Sequence, residues 1–399
     1  MLTILASDPR DERCRHTAPE STADRRDSAD TLGHRMLRVA IDVGPTHGRR
    51  TGIGNAVAWA VEALRARDDL ELQQYVTSAR ARLRRDERRI PMPAAVALRA
   101  WAHPSPPLDR WLGRPAVVHG TNYVVPPARC PRVVSVYDCW FLDHPEDADS
   151  DVALAAAVLR RAVADGAQVV TSSDATTRRV RDLLGTDRVR TVLLGPPLDT
   201  LADGGVGDAG EVPHLADQLF ILALGTMERR KNLPTLVDAF ARVAHEHASV
   251  RLVIAGAAGN DVAAIDRAID RLPLESAERV VRLGTVDSTT KRWLLTHARA
   301  LAYPSLDEGF GFPVLEAQQV GTPVVASTAG SIPQVAGAAA LLSPVRDAEA
   351  LAANLFWIVT SDDMHAKLVR RGRTNLTRFS WEATAEAYRA MYEEVANGD

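Results

Sequence analysis

Leu301-Ala-Tyr-Pro-Ser-Leu-Asp-Glu-Gly-Phe-Gly-Phe-Pro-Val-Leu-Glu316, continued by Ala317 to Ser327, is the stretch whose reading decides the fold. Ala300 to Tyr303 is apolar with no polar alternation, the pattern of a strand buried on both faces of a parallel sheet. Gly309 and Gly311 permit a sharp turn and a close approach of backbone to a ligand. Pro313 suits the first helical position, where its missing N–H costs nothing. Gly321 is a natural helix stop, and Pro323-Val-Val-Ala-Ser327 returns as the next strand. Glu308 then falls on the loop just past a strand, where open α/β sheets bind ligands. Glu316 falls about one turn inside the helix. The free N–H groups of Gly311 and Phe312, with the helix dipole, favour an anion at its start. A phosphate cradle with two acceptors for hydroxyl groups suits a nucleotide sugar.

Outward from this unit the same alternation repeats. Leu37 to Val43 reads as the first strand, followed by a loop through Gly44-Pro45 to Gly52-Ile-Gly54 and a helix from Asn55 to Arg67. That loop is not G-x-G-x-x-G, which speaks against a dinucleotide site. Val117-Val-His119 and Val133 to Tyr137 are short buried strands. A helix over Val152 to Ala164, a strand over Gln168 to Ser172, a helix from Ala175 to Leu184 behind the cap Ser173-Asp174, and a strand over Arg190 to Leu194 complete the first half. Gly195 to Gly210 is rich in Gly and Asp and reads as a linker. Leu219 to Leu224 opens the second half and runs into Gly225-Thr-Met-Glu-Arg-Arg-Lys-Asn232, with Pro234 helping to start a helix. Cations between a strand and a helix N-terminus suit a pyrophosphate. Arg230 can grip two oxygens in a fork, and Lys231 acts as a point charge. A strand at Val250 to Ala255 follows, then the segments Val280 to Val286 and Ala339 to Ser343, with helices from Asp347, Met364 and Ser380.

The expected organisation is therefore α/β: two Rossmann-like domains with parallel sheets facing a cleft. Residues 1–35, polar and aperiodic, read as a disordered tail, 36–200 as the first domain, 201–379 as the second, and 380–399 as a terminal helix. Composition is that of an ordinary globular chain, 46% hydrophobic and 25% charged with formal net charge −3, so nothing overall points to nucleic acid. Cys14, Cys130 and Cys139 lack metal spacing and an even count, which fits a reduced cytosolic setting. No apolar run approaches the length of a membrane span. The arginine-rich run from Arg80 to Arg89 is either a solvated helix face or loop, or a patch that touches anionic lipid or an acidic acceptor.

EGFGFPVLE, with the following G-T-P-V-V-A-S, resembles the E-x7-E motif of retaining GT-B glycosyltransferases in the GT4 family, which includes bacterial mannosyl- and glucosyltransferases. The resemblance runs from about residue 37 onward and implies a terminal helix that crosses back to the first domain. It also implies roles. Glu308 orients the transferred sugar and steadies its anomeric carbon, and Glu316 accepts from the ribose. Lys231 and Arg230 hold the donor diphosphate. Gly52, Gly54, Gly309, Phe310, Gly311, Phe312 and Leu315 line the donor, and Val286 lies against the base. Tyr137-Asp138 stands where the family commonly reads His-Asp. A tyrosine hydroxyl offers one hydrogen bond but no cation at neutral pH. His119, at the end of the preceding strand, is either a satisfied core residue or a compensation for that change.

The function expected is transfer of a hexose, mannose among the choices, from a guanosine or uridine diphosphate sugar to a glycan, lipid-linked or small-molecule hydroxyl. Configuration is retained, no metal or other cofactor is required, and peripheral membrane contact is compatible. Two alternatives stay open: a non-catalytic nucleotide-binding activator of another transferase, and a sugar-nucleotide epimerase on the same fold.

Overall fold

The structure, a computed structural model, describes residues 36–48, 51–198 and 212–398. The expected tail over 1–35 and most of the expected linker lie outside these residues. Seven strands form the first sheet: β1 (Leu37–Asp42), β2 (Leu70–Thr77), β3 (Glu87–Ile90), β4 (Val117–Gly120), β5 (Arg132–Val136), β6 (Gln168–Thr171) and β7 (Val189–Thr191). Six form the second: β8 (Phe220–Leu224), β9 (Arg251–Ala255), β10 (Val280–Gly284), β11 (Ala300–Tyr303), β12 (Val324–Ser327) and β13 (Ala340–Ser343). The spatial orders are β3-β2-β1-β4-β5-β6-β7 and β10-β9-β8-β11-β12-β13, and every pairing is parallel. This is the expected pair of Rossmann-like sheets. All five residues of β8 and all four of β11 are buried, as continuous apolar runs require.

Strand order fixes where a ligand can sit. In the second sheet the chain builds outward from β8 to β10, then returns to lay β11 on the other side of β8. The first sheet does the same between β1 and β4. At such a reversal the loops leaving the two strands diverge and open a crevice at their C-terminal ends. The segments after β8 and β11 are those carrying Lys231 and Glu308.

Several boundaries differ from expectation. The first helix is Gly52–Arg65, with Thr51 as its cap accepting from the Gly54 N–H at 3.3 Å, so Gly52 and Gly54 belong to a helical turn rather than a loop. A capping threonine outweighs glycine's turn preference here. The helix after the glycine turn is Phe312–Val320, which makes Pro313 its second residue; Gly311 precedes it at φ 91° and Gly321 ends it at φ 81°. The arginine-rich run is neither a helix nor a loop throughout, because its end pairs with β2 as β3. Arg84 donates to Thr46 and Glu87, and Arg89 donates to the carbonyls of Ser78, Ala79 and Ala81, so both are structural; Arg80, Arg82, Arg85 and Arg88 stay exposed.

The C-terminal helix Trp381–Asn397 docks on the first sheet's domain. Ser380 caps it through the Ala383 N–H. Trp381 Nε1 donates to the Pro196 carbonyl at 2.8 Å and Thr384 to that of Leu193, while Arg389 reaches Asp69 at 2.9 Å. His119 is buried beneath it, 2.7 Å from the Tyr392 hydroxyl and 2.8 Å from that of Ser135. It is a satisfied core histidine. No helix among the described residues is long and apolar enough to cross a membrane.

Candidate active site

The loops after β8 and β11 are tied into one wall. Arg229–Lys231 forms a single 3-10 turn, and Asn232 at φ 53° swings the chain into the helix Leu233–Glu246. Asn232 Nδ2 donates to the Pro304 carbonyl at 3.0 Å, and the Leu306 N–H donates to the Arg230 carbonyl at 2.7 Å. With the backbones locked, the side chains converge. Lys231 Nζ donates to Glu308 Oε1 at 2.5 Å and to the Tyr303 hydroxyl at 3.1 Å. Arg230 Nη1 donates to Glu308 Oε2 at 2.9 Å, and Ser305 donates to Oε1 at 2.7 Å. Glu308 is only 5% exposed.

Electrostatics decide which form these groups take. Burial alone would push the Glu308 carboxyl up, but Lys231, Arg230 and the hydrogen bonds outweigh it and hold the acid at about 2. Burial pulls the Lys231 ammonium below the usual lysine range, with the Glu308 charge opposing. Asp307 goes the other way, to about 6, because burial and the neighbouring Asp138 and Glu308 charges together exceed the pull of Arg230.

Glu316 lies 2.8 Å from Lys291 on the helix Ser288–His297 and is 8% exposed. Val286, half-buried, immediately precedes the Asp287 cap of that helix. No side chain caps the start of Phe312–Val320. Phe310 and Leu315 are buried, and Phe312 is half-buried. Phe312 meets Trp59 edge-on at 5.6 Å, Phe310 meets Phe379 at 6.0 Å, and Leu315 is wholly buried.

The first sheet's domain closes on the same turn. A Cβ on Gly309 would stand 1.5 Å from the Tyr137 carbonyl oxygen, so only glycine fits. The Gly309 carbonyl accepts from Ser172 at 3.1 Å and Thr176 at 3.4 Å. Tyr137 and Asp138 are thus brought against the Glu308 loop; the Tyr137 ring packs edge-on to Tyr123, and Asp138 accepts from the Trp140 N–H. Arg229 bridges across to Asp147 at 2.7 Å. Gly52 and Gly54 lie at the start of the helix whose Trp59 touches Phe312.

Sequence reasoning missed Lys291, Ser305, Tyr303 and the Arg229–Asp147 bridge. Ser305 and Tyr303 were in plain view on the motif stretch, at the strand end nearest Glu308. Nothing local marks Lys291 or Asp147, which arrive by tertiary contact. No cluster of three or more His, Cys, Asp or Glu suited to a metal ion occurs among the described residues.

The model of the family described as glycosyl transferases group 1 matches residues 210–375. O-antigen chain mannosyltransferase B of Escherichia coli is 28% identical over 285 residues, covering 69% of this chain and 74% of that protein. Several relatives named D-inositol 3-phosphate glycosyltransferase are matched over about half of their length. Among solved structures, sucrose-phosphate synthase from Thermosynechococcus elongatus superposes with a TM-score of 0.68 at 19% identity, over 91% of this chain and all of that one. Anabaena HepE, crystallised in complex with UDP and glucose, superposes at 0.66 with 16% identity, over 90% of this chain and all of that one. At such identities the superpositions speak for the fold, and the fold is GT-B. Residues 210–375 thus form a glycosyl transferases group 1 domain, and the relatives matched along the chain are named as mannosyltransferases and glycosyltransferases.

Proposed function

We propose that the protein is a retaining transferase that moves a hexose from a nucleoside-diphosphate sugar to an acceptor hydroxyl. The observation that carries this reading is the Lys231–Glu308–Arg230 cluster at the β8/β11 reversal, beside a helix start that no side chain caps. Retention and the kind of donor rest on the motif resemblance, and HepE was crystallised in complex with UDP and glucose.

Glu308 pairs with both cations. A diphosphate brings the negative charge that replaces it, freeing Glu308 to accept from the sugar hydroxyls. Lys231 and Arg230 then neutralise charge growing on the leaving diphosphate, and the Gly311 and Phe312 amides add to this without reorganising. The bond from the anomeric carbon to the phosphate oxygen breaks, and one to the acceptor oxygen forms. The acceptor proton passes to the departing phosphate on the same face. Glu316 receives the ribose hydroxyls and Val286 the base, with Lys291 holding Glu316 in place. Since the protein supplies two side-chain cations and a helix end at the diphosphate, the reading assigns that charge to residues rather than to a metal. Contact with anionic lipid at a membrane face stays with the exposed Arg80, Arg82, Arg85 and Arg88.

Glu308→Ala and Lys231→Ala proteins are expected to turn over donor far more slowly, and unchanged turnover in both contradicts the reading. Tyr137 in the place of the family histidine favours one second reading, a nucleotide-binding activator. Tight nucleoside diphosphate binding without donor hydrolysis or transfer to any acceptor distinguishes it.

A further inference from the structure

A groove of about 470 Å³ lies in the second sheet's domain, away from the Lys231–Glu308 cluster. Residues 337–339, which lead into the N-terminal end of β13, form one wall. The end of the helix Asp362–Leu376 and the residues just after it form the other. Lys231 and Glu308 sit on loops that leave the C-terminal ends of β8 and β11, so in this parallel sheet the groove flanks the opposite edge.

Three arginines line it: Arg370, Arg371 and Arg378. The bonds that fix two of them go to neutral oxygens. Arg371 donates to the Ala338 carbonyl at 3.2 Å, and Arg378 donates to Asn375 Oδ1 at 2.7 Å and to the Gln334 carbonyl at 3.1 Å. Asn375 is buried and donates in turn to Gln318 at 2.9 Å and to the Val335 carbonyl at 2.8 Å, so Arg378 leans on a fixed support. Arginines near a helix C-terminus often serve the helix end itself. Here the last-turn carbonyls of Thr374, Asn375 and Leu376 already accept from the N–H groups of Thr377, Arg378 and Phe379, and Arg371 and Arg378 reach across to the facing segment instead. The Thr374 and Thr377 hydroxyls are turned to backbone carbonyls, which leaves the guanidinium groups as the donors that face the groove. Lys367, exposed one turn earlier, adds a cation on the same helix face. Like charges three and four residues apart repel, a cost that a bound anion removes. Of the acids on this helix, Asp362 is paired with Arg299 at 2.8 Å and Asp363 stands in the first turn, at the far end.

We propose that this groove binds a phosphate monoester. Such a group carries about 1.5–2 negative charges at pH 7 and three acceptor oxygens, and guanidinium forks match its geometry two bonds at a time. The assignment stands apart from the transfer reading, since no residue of the groove belongs to the donor cluster.

Isothermal titration with glycerol 3-phosphate, with glycerol as the uncharged control, tests it. The ester is expected to bind and glycerol not to. Arg370→Glu, at an exposed position, is expected to weaken the ester about tenfold or more, the scale of a lost charge contact, while a folded Lys231→Ala protein binds it as the wild type does. No binding of the ester by the wild type, unchanged affinity in Arg370→Glu, or an equal loss in Lys231→Ala overturns the proposal. Flotation with phosphatidylcholine vesicles containing phosphatidate then identifies what carries the phosphate. Recovery that Arg370→Glu abolishes puts it on a lipid head group; absent recovery, or recovery that the variant leaves unchanged, puts it on a free ester.

Discussion

Glu308 is held by two cations and a hydroxyl in a nearly closed pocket, so its removal is felt through its partners. Glu308→Gln leaves Lys231 buried with its charge uncompensated and is expected to cost about 3–5 kcal/mol in urea unfolding. Adding Lys231→Met should return part of that stability while donor turnover stays lost, which separates folding from chemistry. Two buried groups also carry stability that acid removes. Burial holds the His119 imidazole down at about 3, so between there and its ordinary 6.5 the unfolded chain binds the extra proton. Its stability contribution is complete above about 6.5 and is lost as pH falls. Glu308, with its folded value near 2, adds a second loss as pH falls below about 4.5. Asp42, raised to about 7, and Asp307, raised to about 6, act in the opposite sense over part of this range, so the difference is the test. His119→Gln is expected to lose less stability than the wild type between pH 6.5 and 3 in thermal melts, and an equal loss in both would contradict it. At this scale Glu308, Arg230 and Lys231 were legible because each sits within a short local pattern. Lys291 was not, since its pairing with Glu316 spans 25 residues of sequence.

The strand, turn and helix around Gly309 form the element on which the site depends. The glycine requirement could be read from the turn, but its cause is the Tyr137 carbonyl from the other sheet's domain, which no local pattern reveals. Gly309→Ala forces the two loops apart and is expected to lower donor turnover sharply with a loss of stability. Gly52→Ala is the contrast. Gly52 is exposed in a first helical turn with no atom within 4 Å of an added Cβ, so about 0.5–1 kcal/mol of stabilisation is expected by chemical denaturation. The strands that escaped sequence reading were β2 and β3. In Leu70-Glu-Leu-Gln-Gln-Tyr-Val-Thr77 the polar and apolar residues do not form a buried run, because this strand lies toward the sheet's edge. In β3, Glu87 is buried to serve His47 and Arg84, which hides the strand within a charged sequence.

Across the whole molecule the alternation of apolar strands and helices announced two parallel sheets, because strands covered on both faces must be apolar throughout. The way the halves are joined was open to sequence only through the family resemblance. It depends on Trp381, buried against Trp59 and bonded to Pro196, and on an aromatic chain from Trp59 through Phe312 and Phe310 to Phe379. Trp381→Ala is expected to cost about 3–5 kcal/mol and to weaken nucleotide binding through the shared wall. The central claim is the proposal that Lys231, Arg230 and a helix start, in the cleft between the sheets, bind a diphosphate. Calorimetric titration with UDP and GDP tests it most directly. One of the two is expected to bind the wild-type protein, and Lys231→Ala, if folded, to bind it at least about tenfold more weakly. Binding of neither nucleotide, or unchanged affinity in Lys231→Ala, would contradict the account.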